Sequence, residues 1–388
     1  MKNKQFCLLT LISSGLLIQA SVSASPLVSI GDNADIFFNG SSSLRWSSNI
    51  FRDETGEVDD LIWTVSPGFE LNVGRGASNT DLSISTRYDV LRYQDISRMN
   101  VELFHIRAVG SYQGSRLDLN GSVAFDENKS SSGLNNVAND LIEYDTTSAD
   151  VNGEYRLSPK FSFGSGFSFS SQEYSTYTER FADREKVTVP LDVFYELTPK
   201  VDLSFGATYS VTDVDATLLN PNGDYTQESF FYNFGARGNL LPKLTGSFKV
   251  GYRTKDTDRA GADEDGMLGL NASLVWAMTP KLTTTLGLSR DFGVGGEGGA
   301  TEVSKINLSS SYSINSYFAA SASLGYALRD YTDSNQEDDQ YNAGLRLSYS
   351  PNQYWSFSTG YTYSENSSNR VGSSYEDHTL DLTATLRY

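Results

Sequence analysis

Long runs of strictly alternating residues constrain this chain more than any other feature. Val201, Leu203, Phe205, Ala207, Tyr209 and Val211 interleave with Asp202, Ser204, Gly206, Thr208, Ser210 and Thr212. Leu244, Gly246, Phe248, Val250 and Tyr252 interleave in the same way with Thr245, Ser247, Lys249, Gly251 and Arg253. A period of two sends apolar and polar side chains to opposite faces of a strand. Strands in soluble proteins run about five or six residues. The alternation here holds for roughly ten or more, the length a tilted strand needs to cross a bilayer.

The runs are joined by a recurring turn: Leu157-Ser158-Pro159-Lys160-Phe161, Leu197-Thr198-Pro199-Lys200-Val201, Leu240-Leu241-Pro242-Lys243-Leu244 and Met278-Thr279-Pro280-Lys281-Leu282. Weaker copies stand at Ile314 to Phe318 and Tyr349 to Tyr354, and from Pro159 the successive spacings are 40, 43, 38, 36 and 35 residues. Proline fixes φ and lacks an N–H, so it suits a turn corner and not a central strand. One two-strand unit therefore repeats. The pattern predicts eighteen strands, the first nine at 36–48, 58–73, 79–91, 99–111, 115–126, 142–156, 160–174, 184–196 and 200–213. The other nine fall at 227–239, 243–256, 264–278, 281–292, 301–315, 317–331, 337–350, 353–364 and 375–388. Short turns, including Arg75 to Ser78 and Gln113 to Ser115, alternate with longer polar connections, the asymmetry of transmembrane barrels. The expected fold is all-β, a transmembrane antiparallel up-and-down β-barrel of about 18 strands, within a range of 16 to 20. A β-propeller shares the period but needs four short strands per repeat and a core that this Ser, Thr and Gly face would not supply.

Met1 to Lys4 is basic, Phe6 to Ile18 apolar, and Val22-Ser23-Ala24 offers a small-residue cleavage site. This is a signal-peptide layout, placing a leader at 1–24 and the barrel at 25–388. The single cysteine, Cys7, falls in the leader, so no disulfide framework is expected. A hydrophobic content of 38% and a mean hydropathy of −0.36 suit a barrel in which only alternate residues meet lipid. Removing Lys2 and Lys4 takes the formal charge from −18 to −20, which argues against nucleic-acid binding.

Alternation assigns Trp63, Phe69, Phe163, Phe167, Tyr209, Phe248, Leu274, Trp276, Tyr326 and Tyr363 to the lipid face. The inner phase is mostly small, and it also carries the pore-lining candidates Arg45, Arg87, Asp89, Arg107, Arg116, Asp118, Asp192, Lys249, Arg253 and Arg346, with Arg387. Arg87 with Asp89 and Arg116 with Asp118 are expected to be same-face neighbours. Such charges either set a transverse field on solutes or pair to stiffen the wall. The small lining fits a water-filled lumen.

Catalysis finds no motif. His105, expected in the lumen, and His378, at the start of the last strand, stand apart from any Ser-acid arrangement, so no enzyme is expected. Acid clusters at Asp53 to Asp60, Asp256 to Asp265 and Glu337 to Asp339 match no calcium loop and read as solvated loops; no metal or cofactor is expected. Gly293 to Gly299 lacks the Lys-Ser or Lys-Thr of a phosphate loop and reads as a flexible tip.

Ser43-Leu44-Arg45-Trp46-Ser47-Ser48-Asn49-Ile50-Phe51-Arg52, followed by Asp60-Leu61-Ile62-Trp63-Thr64-Val65-Ser66-Pro67-Gly68-Phe69-Glu70-Leu71, resembles the opening strand pair of the β-barrel porin 2 family. That family commonly reads Asp-Ser-Asn or Asp-Asp-Asn where this chain has Ser47-Ser48-Asn49. Its members are frequently encoded with exopolysaccharide assembly genes. The resemblance implies an outer-membrane channel for export of an extracellular polysaccharide, with periplasmic export proteins as partners. The alternatives are a general diffusion porin for small solutes and a non-transporting surface scaffold or adhesin. The last strand, closing on Tyr388, resembles the signal read by the barrel-assembly machinery, and outer-membrane lipid is the expected surround.

Overall fold

The computed structural model describes residues 25–74, 78–131, 137, 139–259 and 264–388. The expected leader, residues 75–77 of one expected turn and Asp263 lie outside the described residues. A short strand β1 (Val28–Ile30) precedes β2 (Ala34–Ser47), β3 (Asp60–Val73), β4 (Thr80–Tyr93), β5 (Val101–Gln113), β6 (Leu117–Ser130) and β7 (Ile142–Arg156). There follow β8 (Phe161–Tyr174), β9 (Arg184–Thr198), β10 (Val201–Val214), β11 (Tyr225–Leu241), β12 (Leu244–Thr257) and β13 (Asp265–Thr279). The last six are β14 (Leu282–Val294), β15 (Ala300–Ser313), β16 (Phe318–Tyr331), β17 (Glu337–Tyr349), β18 (Trp355–Ser368) and β19 (Tyr375–Arg387). Each of β2 to β19 pairs antiparallel with the next, and β19 returns to β2, with Thr379 opposite Ser47 and Arg387 opposite Asn39. The result is a closed 18-stranded antiparallel up-and-down barrel, as the sequence predicts.

Closure removes the unpaired edges that an open sheet would present. β19 stops short of the start of β2, and β1 occupies that remaining edge, with Val28 opposite Ile36. Tyr388 seals the seam, its N–H donating to the Phe38 carbonyl at 2.9 Å. Three residues are too few to show a period, which is why β1 does not announce itself in the sequence.

Contacts that skip strands identify the lumen side. Arg237 on β11 reaches Glu154 on β7, and Lys249 on β12 reaches Asp192 on β9. In a closed sheet such reaches run through the interior. Trp63, Phe69, Phe163, Phe167, Phe248 and Trp276 occupy the opposite phase and are exposed on the outside.

The outer face carries an unusual register at the long-loop end. Glu127 lies opposite Asp145, and Asp145 opposite Glu173. Glu185 faces Asp213, Glu228 faces Asp256, Asp330 faces both Glu302 and Glu337, and Glu365 faces Glu376. Like charges directly opposite on neighbouring strands destabilise a sheet. Here they run along β6 to β12 and β15 to β19, just beyond outward tyrosines such as Tyr326, which donates to Asp339, and Tyr363, which donates to Glu365.

Candidate functional site

The lumen wall has two distinct arcs. Along β7 to β12 it is charged and drawn inward. Arg237 Nη1 and Nη2 both donate to Glu154 at 2.7 Å, and its Nε donates to Asp202 at 3.1 Å. This bidentate pairing fixes the planar guanidinium, which lies 3.4 Å over the Phe194 ring. Lys249 Nζ meets both oxygens of Asp192, at 2.7 and 2.8 Å. The Asp192 carboxylate lies across Gly206, where an added Cβ would come within 2.1 Å of it, so only glycine leaves room. Arg253 repeats the theme, stacked 4.2 Å over Phe231 and paired with Asp291 at 2.8 Å.

The second arc, β14 to β19, is smooth. One row of cross-strand neighbours reads Thr285, Ser309, Ser323, Gly344, Thr362 and Thr379, and ends on Ser47 of β2. The adjoining row begins Gly287, Asn307, Gly325, Asn342 and Ser364. Across five strands these side chains offer hydroxyls and amides without charge. Three cations interrupt the arc: Arg346, held by two bonds to Asp381 at 2.9 and 3.0 Å, and, nearer the long loops, Lys305 and Arg329.

Most of the pore-lining candidates fall into these pairings. Arg87 meets Asp89 at 2.9 Å, and Asp89 also meets His105, which contacts Asp126 at 2.7 Å. His105 is thus bracketed by two carboxylates on the wall. Arg45 and Arg107 share the lumen phase, Arg45 directly opposite Asp381 and Arg107 opposite Ser85. Arg116 departs from expectation: it sits exposed in the turn between β5 and β6, because β6 starts only at Leu117. Its expected partner Asp118 pairs instead with Arg156, at 2.9 Å. Arg387 is held by Glu70 at 2.9 Å. His378 has the lipid-side phase, its ring bonded to the Tyr361 hydroxyl at 2.8 Å. Alternation placed these side chains by face. It did not reveal Glu154, Arg237 or the inward Phe194 and Phe231, although all four hold the inner phase.

The mouth at the long-loop end differs most from the sequence reading. Tyr93, Tyr174, Tyr225, Tyr331 and Tyr375 each stand at the loop end of a strand, in the lumen phase, and are buried. They form an apolar collar on which loops seat. Phe51 and Ile50 pack against Ile62, Tyr93, Met99 and Leu141, while Phe181 packs on Ile142 and Tyr174. Asn49, fully buried, clasps its own loop by accepting from Asp53 N–H at 3.0 Å and donating to the Asp53 carbonyl at 2.9 Å. The motif that carries the family resemblance thus folds the first loop inward.

Two acids of that region are not solvated, contrary to expectation. Asp60 is 2% exposed and accepts backbone N–H groups of Leu61, Gln94, Asp95 and Ile96, while Asp53 accepts from Asn139 N–H. Their oxygens hold neighbouring loops in place of a cation. No cluster suited to a metal ion occurs among the described residues.

Gly293 to Gly299, expected as a flexible tip, is a keystone. Glu297 accepts from Arg180 Nε at 2.6 Å and from Arg370 Nη1 at 2.8 Å. Arg180 lies in the β8–β9 loop and Arg370 in the β18–β19 loop, so three separated arcs of the rim meet on one carboxylate. Burial raises the Glu297 pKa, but the hydrogen bonds and charges of Arg370 and Arg180 outweigh it and hold the carboxyl below its usual range. Ala182 N–H donates to Gly296 O at 3.1 Å, and Arg184 donates to Val294 O at 2.9 Å, pinning the loop's base. The lumen is therefore roofed at this end, where a small-residue lining alone suggested an open channel.

Comparison with known proteins agrees with this architecture. The model of the family described as "Putative beta-barrel porin 2" matches residues 39–388. The chain belongs to that porin family. Among solved structures, a ferric enterobactin receptor mutant from Pseudomonas aeruginosa is similar to the porin over 91% of this chain and 80% of its own, at 10% identity and a TM-score of 0.50. The outer membrane protein OpdK of the same organism covers 91% of the porin and 99% of its own chain, at 11% identity and a TM-score of 0.46. A bacterial polysaccharide outer membrane secretin covers 93% and 100%, at 11% identity and a TM-score of 0.40. At these identities the likeness extends to the fold alone. No curated protein sequence matches the porin. It is an outer-membrane-type β-barrel with a channel-like lumen.

Proposed function

We propose that this porin passes an extracellular polysaccharide outward across the outer membrane. The observation that carries the reading is the uncharged row of Thr285, Ser309, Ser323, Gly344, Thr362 and Thr379. A hydrated polymer sliding along this row exchanges one weak hydroxyl contact for another and meets no fixed charge within the row. The Arg237–Glu154 and Lys249–Asp192 bridges narrow the opposite side and set the cross-section. A roof clamped at Glu297 suits a conduit that opens for cargo better than a permanently open diffusion pore. Family membership supports the same role.

The test is single-channel conductance of the refolded barrel in a planar bilayer, before and after loosening the roof. Wild type should show small steps, Glu297→Gln larger ones, and polysaccharide fragments should block the enlarged current. Large wild-type steps indifferent to fragments would instead establish a general diffusion porin. Absence of current in both proteins would favour the scaffold reading. In cells, deletion should abolish secreted polymer.

A further inference from the structure

A cavity of about 950 Å³ lies beside the roof clamp, among the loops following β10, β12, β14, β16 and β18. Its charges cancel locally. Arg259 Nη1 meets Asp333 at 2.9 Å, and Arg370 meets Glu297 at 2.8 Å. What the cavity offers a ligand is therefore amide and phenol. Asn222 and Asn335 line it, and their side chains make no hydrogen bond to described residues.

Tyr331 supplies the second signal. It is 8% exposed, lines the cavity, and its buried hydroxyl makes no well-formed hydrogen bond, with the Arg329 guanidinium close beside it. A buried hydroxyl without a well-formed hydrogen bond costs free energy and marks a place where a polar group is missing. Gly295 and Gly299 lie against its ring, where added Cβ atoms would approach to 2.8 and 3.1 Å, so glycine at these positions lets the loop pack on the ring and hold it in place. The walls are already built: Asn369 Nδ2 donates to Asn335 O at 2.6 Å, and Asn369 Oδ1 accepts from Glu337 N–H at 3.0 Å.

We infer that this cavity binds a short stretch of neutral saccharide at the outer exit, an inference that rests on the barrel serving as a polysaccharide channel. Side-chain amides present donor and acceptor together and so match adjacent sugar hydroxyls. The volume suits a ligand of a few sugar units, since small-molecule sites span about 300–1,000 Å³. An anionic sugar would need an unpaired cation in the lining, and the two arginines that line the cavity, Arg259 and Arg370, are already engaged by carboxylates.

The experiment titrates the purified full barrel, in a detergent without sugar headgroups, with cello-, chito- and maltotetraose and with tetragalacturonate. Saturation-transfer NMR and calorimetry read the binding. At least one neutral tetrasaccharide should bind at millimolar concentration or below and more tightly than the uronate. Asn222→Leu with Asn335→Leu should weaken it about tenfold, and Tyr331→Phe, which keeps the ring, should weaken it less. Heat-modifiability on an unboiled gel verifies that each variant is folded. No binding by any neutral probe, preference for the uronate, or unchanged binding in the folded double variant would each overturn the site. Polymer secretion by a deletion strain complemented with wild type is scored separately. Secretion without saccharide binding overturns the site alone, whereas binding without any secretion defect on deletion overturns the channel reading.

Discussion

Along β7 to β12 the inner face carries Glu154, Asp192, Asp202, Arg237, Lys249 and Arg253; along β14 to β19 the same phase is mostly serine, threonine, asparagine and glycine. Both arcs belong to one closed sheet and obey one alternation, yet they do different work. The charged arc spends its side chains on one another: Arg237 and Lys249 reach across intervening strands, and half-buried charges stay stable because each is paired and hydrogen-bonded. The hydroxyl arc leaves most of its groups to water. Charge on the first arc supports the barrel's shape, and the second arc is lined mainly by neutral polar groups.

Removing one partner on the charged arc should produce the largest effect. Glu154→Ala leaves Arg237 with Asp202 as its carboxylate partner on the wall and should destabilise the barrel by about 1–3 kcal/mol. Ser323→Ala on the smooth arc should cost less than about 0.5 kcal/mol. Urea unfolding in detergent measures both, and equal losses would erase the distinction between the arcs. The roof ties the arcs together, and each arm at Glu297, partly exposed, is worth about 0.2–1 kcal/mol. Its lowered pKa means that closure is fully supported above the ordinary carboxylate range and is lost as pH falls through the lower bound-state value. Current should therefore rise on acidification below the usual carboxylate range, and Glu297→Gln should be open already, without that step.

A charge placed on the smooth arc sharpens the contrast further. Ser323→Lys should shift the reversal potential toward anions by the equivalent of about 0.5–1 kcal/mol, and salt should diminish the shift. Lys249→Gln, which leaves the Asp192 carboxylate without its cation, should move it in the opposite direction, toward cations. The smallest effect lies outside the barrel. Asp145, flanked directly by Glu127 and Glu173, should stabilise the fold by roughly 0.2–1 kcal/mol when changed to Asn, read as a higher thermal midpoint at low salt.

Local alternation made the barrel legible. It found all eighteen closing strands, and β7 at 142–156 agrees residue for residue, because facing lipid or lumen is decided two residues at a time. What it could not find depends on curvature and on loops. Glu154 and Arg237 are 83 residues apart, and parity says only that both face inward, not that they meet. Arg116 falls inside a strand expected from 115, two residues before β6 begins, because turn and strand ends look alike in sequence. The inward fold of the loops did leave a trace: tyrosines recur at the loop ends of inner-phase strands, and Phe51 and Phe181 stand out in polar connections. The run around Glu297 offered no such trace, since its partners Arg180 and Arg370 lie on distant loops.

The opposed carboxylates on the outer rim also make the barrel electrically polar along its axis. The short turns at the other end carry the exposed Lys160, Lys200, Lys243 and Lys281. Each elementary charge carried through 100 mV changes the energy by about 2.3 kcal/mol. Threading into an artificial bilayer under voltage should therefore be directional, with one end entering far more often than the other. A population of channels added from one side would then rectify in a common sense, and the sign of that rectification reads out which end leads.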